Sequence, residues 1–141
     1  MEFQKLVKQL RELNLPEGEY VVVGSGALAA RGMREANDLD ILVTKHLWDS
    51  LASNYKVEIT PEGIENINLG DIQILGKGSV FSDESIADLQ TLIQTTEAVE
   101  GIRFISLPYL KKFKQKLGRE KDLKDIKLID NYLRDSSRSS E

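Results

Sequence analysis

The 141-residue chain predicts a mixed α/β (α+β) domain: a mixed sheet flanked by helices and closed by two C-terminal helices. Three observations carry this prediction. Short apolar or alternating runs such as Tyr20 to Val23 and Leu39 to Val43 read as strands, amphipathic stretches at both ends read as helices, and no internal repeat divides the chain. With 40% hydrophobic and 30% charged residues, the composition is that of a globular protein with room for one core. A single domain is therefore expected over residues 1–134. The remaining DSSRSSE, residues 135–141, has nothing to bury and is expected to be disordered.

Each element has its own signal. Phe3, Leu6, Val7, Leu10 and Leu13 recur at helical spacing, and Pro16-Glu17-Gly18 ends that helix. Tyr20 to Val23 is a strand, Gly24-Ser25-Gly26 a tight turn, and Ala27 to Arg31 a short helix stopped by Gly32. Leu39 to Val43 is a second strand with its carboxylates at the beginning, followed by a helix over Lys45 to Ser53. Val57 to Ile59, Ile64 to Leu69 and Ile72 to Leu75 supply further strands, with a bend at Gly70. Ile86, Leu89 and Ile93 mark a helix opening in Ser82-Asp83-Glu84-Ser85, and Ile102 to Ile105 forms one more strand. Leu107 to Leu117 and Leu123 to Leu133 are the closing helices.

The composition also excludes chemistry. The chain lacks cysteine, which removes disulfides and thiolate sites, and its single histidine, His46, argues against histidine-based triads and zinc sites. No apolar run approaches the roughly 20 residues of a membrane span, and MEFQKLVKQL does not resemble a signal peptide, so a cytoplasmic protein is expected. A net charge of −4 gives no general attraction to nucleic acid, yet Lys and Arg crowd LKKFKQKLGREKDLKDIK, where a basic surface could face an anion. His46, Trp48, Tyr109 and Tyr132 read as structural.

The chemistry concentrates in VVVGSGALAARGMREANDLDILV, Val21 to Val43. Gly24 to Ala29 fits the relaxed dinucleotide fingerprint GxGxxA, but the helix stops near Gly32 and the acids lie at the near end of the next strand, where a ribose would not meet them. A different logic uses both halves. Asp38 and Asp40 alternate on a strand and so can aim at one point, where Mg²⁺ would neutralise them. The unhindered Gly24-Ser25 backbone can hold the phosphates that such a metal bridges.

The apolar strand, Gly24-Ser25, twelve intervening residues and Asp38-Leu39-Asp40-Ile41 together resemble the signature of the nucleotidyltransferase-fold superfamily, the polymerase-beta-like enzymes. The closing LKKFKQKLGREKDLKDIKLI resembles small bacterial and archaeal members related to abortive-infection and toxin–antitoxin nucleotidyltransferases, in which a helix lysine precedes an Arg-x-Lys-Asp-x-x-Asp run. The resemblance implies transfer of a nucleoside monophosphate from a triphosphate to an acceptor. Asp38 and Asp40 would hold two Mg²⁺ ions, and Gly24 and Ser25 would contact phosphates. It also implies a third carboxylate on a later strand, for which Asp71 is the candidate. Gln73 shares its strand face and could occupy that place instead, and Glu58 and Glu65 are fallbacks.

Lys114 on its helix, with Arg119 and Lys121 after Gly118, could reach the triphosphate, while Asp122 and Asp125 would fix those cations or cap the last helix. Arg34 resembles a basic position just before the aspartate pair in related sequences. The acceptor could be RNA, a protein hydroxyl or a small molecule such as an aminoglycoside, and a second copy or a partner protein could complete the site. The rival expectation is a catalytically inert nucleotide-binding or partner-binding module on the same fold.

Overall fold

The computed structural model describes residues 2–139. The run YVVV forms β1 (Tyr20–Val23) and LDILV forms β2 (Leu39–Val43), antiparallel neighbours that set Val23 opposite Asp40. Parallel to β2 on its other side runs β5 (Ile72–Leu75), itself in antiparallel contact with β4 (Glu65–Leu69) and, through it, with the short edge strand β3 (Glu58–Ile59). On the far side of β1 lie β7 (Ile102–Phe104), parallel to it, and β6 (Glu97–Val99). The result among the described residues is a seven-stranded mixed sheet in the order β3-β4-β5-β2-β1-β7-β6.

The described residues also form six helices: α1 (Phe3–Glu12), α2 (Ser25–Ala29), α3 (Lys45–Asn54), α4 (Leu89–Gln94), α5 (Leu107–Leu117) and α6 (Glu120–Ser139). The helical stripe of α1 enters the core through Leu6, Val7 and Leu10, and its Phe3 ring meets Phe104 of β7 at 6.0 Å. Val21, Val22, Val23, Leu39, Ile41, Ile72, Ile74 and Phe113 are fully buried, which is the hydrophobic burial that orders the strands carrying the site. Trp48 is structural: its ring packs against the core and would meet a Cβ on Gly76 at 2.7 Å.

Three elements differ from the sequence expectation. The helix expected to open at Ser82 to Ser85 begins only at Leu89, capped by Asp88, whose side chain accepts from the Thr91 N–H at 2.8 Å. Asp83 is spent on an Asx-turn, accepting from the Ser85 N–H at 2.9 Å, and Val80–Ser82 is a short 3₁₀ turn. Strand β6 has no counterpart in the expectation because its two-residue hairpin to β7 is Glu100-Gly101, with φ of 52° and 80°, rather than the usual Asn-Gly. Helix α6 runs on through residues 135–139, part of the stretch expected to be disordered. A helix already nucleated adds further residues cheaply. Residues 140–141 of that stretch lie outside the described residues. Among the described residues no helix is long and apolar enough to cross a membrane.

Candidate active site

The Gly24 turn is shaped by what lies beside it. Gly24 has φ +69°, a conformation that L side chains rarely adopt, and an added Cβ would stand 3.2 Å from Asp40 Oδ2. The turn thus brings bare backbone against the carboxylate of the neighbouring strand. Gly26 answers a different constraint, since a Cβ there would lie 2.6 Å from Leu39 Cδ2, and the bare Cα lets α2 sit this close to β2.

Gly24, Ser25, Arg34, Asp38, Asp40, Lys114, Arg119 and Lys121 all line one hollow of about 260 Å³, joined by Gln73, Phe81, Leu117, Asp122 and Asp125. Every site residue expected from the sequence is therefore brought together except Asp71. Five stretches of chain meet here: the β1–α2 turn, the segment from Arg34 into β2, β5 at Gln73, the 3₁₀ turn at Phe81, and the α5–α6 corner.

Asp40 is penalised in its charged form by burial and by its neighbour Asp38. Desolvation, and then the charge of Asp38, raise the Asp40 carboxyl from 3.8 to about 6, against the opposing pull of Lys114 and Lys121. A cation between the carboxylates would relieve this penalty, so the donor set suits one hard divalent ion bound with a ligand's phosphates.

Opposite the pair stands a network of cations held by carboxylates of α6. Lys114, only 6% exposed, donates to Asp125 at 2.9 Å and lies 3.6 Å from Asp122. Arg34 reaches the other oxygen of Asp125 at 2.7 Å. Arg119 Nε donates to Asp122 at 2.6 Å, and Asp122 also accepts from the Arg119 backbone N–H at 3.2 Å, as a helix-capping carboxylate does. Burial alone would raise the Asp122 carboxyl, but the Arg119 hydrogen bonds and the Arg119 and Lys114 charges outweigh it and hold it low. Asp122 and Asp125 thus fix the cations, as the sequence suggested. Phe81, which the sequence did not mark, packs its ring on Phe113 at 5.0 Å and forms one wall.

Asp71, expected from the resemblance as the third carboxylate, is placed apart from the aspartate pair. It lies outside the hollow and is clamped to α1: its carboxylate accepts from Gln9 Nε2 at 2.9 Å and its backbone N–H donates to Gln9 Oε1 at 3.2 Å. The turn at Gly70, φ +68°, closes β4 to β5 and leaves Asp71 beside Gln9 of α1, which engages both its carboxylate and its backbone N–H. Gln73 is the β5 residue that pairs with Asp40 across the parallel ladder and lines the hollow. Neither fallback replaces it: Glu58 is hydrogen-bonded by Asn68 and lines a different hollow at the sheet edge, and Glu65 lines a groove beside Trp48. Among the described residues no group of three or more His, Cys, Asp or Glu side chains is arranged to hold a metal.

No protein-family model and no curated protein matches the chain. Solved structures do share its fold. A candidate nucleotidyltransferase of Thermotoga maritima aligns over 94% of this chain and 92% of its own, with a TM-score of 0.54 at 20% identity. The aminoglycoside nucleotidyltransferase ANT(2")-Ia, solved in complex with adenylyl-2"-tobramycin, aligns over 92% of this chain and 86% of its own, with a TM-score of 0.50 at 15% identity. The mixed sheet with its flanking helices is a nucleotidyltransferase-like fold.

Proposed function

We propose that this chain, built on a nucleotidyltransferase-like fold, transfers a nucleoside monophosphate from a nucleoside triphosphate to an acceptor and needs a divalent cation such as Mg²⁺ to do so. The observation that carries the reading is the single hollow lined together by Asp38, Asp40, the Gly24-Ser25 turn, Lys114, Arg119 and Lys121, with Gly24 packed against the Asp40 carboxylate. Phosphoryl chemistry asks a protein chiefly for positioning and charge neutralisation, and this hollow is equipped for both.

Asp38 and Asp40 would hold the cation, which supplies charge neutralisation at the phosphates. The Gly24-Ser25 backbone admits the phosphates without a side chain in the way. Lys114, Arg119, Lys121 and Arg34 orient them and stabilise the negative charge that grows on the departing group. An acceptor oxygen forms a bond to the α-phosphorus, the bond from that phosphorus to the bridging oxygen breaks, pyrophosphate leaves, and the acceptor's proton passes to solvent.

The test is incubation with each α-labelled nucleoside triphosphate and Mg²⁺ in the presence of total RNA, cell-extract protein or aminoglycosides. The last belong in the panel because of the adenylylated tobramycin seen with ANT(2")-Ia. Label transferred to one fraction, abolished by EDTA, is the expected result. One observation favours the rival binding module: an amide, Gln73, stands beside Asp40 where a third acid was expected. Metal-dependent nucleotide binding without label in any fraction would select that reading.

A further inference from the structure

We infer that the hollow is built for a single divalent cation and that Gln73 sets that number. This deepens the proposed function and rests on it. Gln73 pairs with Asp40 across the parallel β2–β5 ladder and lines the same hollow, so it occupies the position from which a third ligand would face the aspartate pair. An amide oxygen can complete the shell of one ion but brings no charge, whereas two divalent ions about 4 Å apart repel strongly and need carboxylates shared between them.

The remaining acids do not make up the difference. Asp71 is held by Gln9 of α1, while Glu58 and Glu65 line other hollows. Asp122 and Asp125 do line this one, but their oxygens are engaged by Arg119, Lys114 and Arg34 at 2.6 to 2.9 Å. A second cation approaching them would meet those three positive groups first. Asp38 and Asp40 are left, and two carboxylates with a nucleotide's phosphates are the donor set of one Mg²⁺.

The experiment counts Mn²⁺ bound per chain, by electron paramagnetic resonance and native mass spectrometry, in the complex with a non-hydrolysable α,β-methylene nucleoside triphosphate. Wild type is expected to hold one ion and Gln73→Asp two, with Gln73→Glu as a second variant and circular dichroism to establish that each is folded. Two ions in wild type overturn the inference even if both variants fail to fold. A folded Gln73→Asp and a folded Gln73→Glu that each still hold one ion also overturn it, because another feature then sets the number. Nucleotide binding is measured separately on wild type. If the analogue does not bind even with Mn²⁺, the proposed function itself falls, whereas binding with two ions removes only the single-cation inference.

Discussion

Replacing Asp40 by Asn should stabilise the metal-free protein, although it removes a group the proposed activity depends on. Burial and Asp38 raise the Asp40 carboxyl from 3.8 to about 6. A raised acid binds more protons folded than unfolded between those values, so its ionisation destabilises the fold as pH rises through that window. At about 1.4 kcal/mol per pH unit the displacement corresponds to about 3 kcal/mol at neutral pH. The buried amide offsets part of this by its own desolvation, which leaves an expected gain of about 1–3 kcal/mol. The assay is urea denaturation of wild type and Asp40→Asn in EDTA at several pH values from about 4.5 to 7.5. The difference should grow with pH and level off above about 6. Added Mg²⁺ and nucleotide should then stabilise wild type and not the variant, reversing the order. Asp40→Asn equal to or less stable than wild type at neutral pH in EDTA would refute the reasoning.

The same carboxyl makes ligand binding pH-dependent: protons compete with the metal for Asp40, so calorimetric affinity for the Mg²⁺-nucleotide complex should fall as pH drops below about 6. An affinity flat from pH about 5 to 8 would contradict this. Lys114→Met should cost about 3 kcal/mol in urea denaturation, the lower end for a broken buried pair because Arg34 and Arg119 still serve Asp125 and Asp122. A cost under about 1 kcal/mol would show that the lysine is not needed to compensate those acids. Asp71→Asn should leave nucleotide affinity unchanged and lose about 1 kcal/mol as Gln9 Nε2 donates to a neutral rather than a charged acceptor, and a variant that no longer binds nucleotide would return Asp71 to the site.

What could be read from the sequence was whatever depends on near neighbours. Asp38 stands immediately before β2 and Asp40 two residues on within it, and Gly24 follows β1 directly, so the pair and the turn that meet in one hollow were legible without knowing the fold. The basic closing run was legible as a run, and Asp122 with Asp125 as one helix face, but their burial at 0% and 3% exposure depends on how the α5–α6 corner meets the sheet. The third ligand position was not decidable. Asp71 and Gln73 have the same parity along the chain, and what separates them is a tertiary contact: Gln9 of α1 holds Asp71, while Gln73 lines the hollow. Glu100, a non-glycine residue at positive φ, concealed the β6–β7 hairpin: the backbone conformation, not the residue type, made the turn.

The pairing of cations in the hollow bears on how a nucleotide would enter it. Arg34, Lys114 and Arg119 are already paired with Asp125 and Asp122, which holds them in place and lowers the ordering cost when a ligand arrives. The same pairing cancels much of their charge. A bare triphosphate therefore meets partly neutralised cations on one side and Asp38 with Asp40 on the other, and the latter repel it. A triphosphate that carries a divalent ion turns that repulsion into coordination while keeping its contacts with the fixed cations and with the exposed Lys121. Both halves of the hollow would thus favour the metal complex over the free anion, a preference arising from charges on two separate stretches of the chain, 34–40 and 114–125, rather than from the aspartate pair alone.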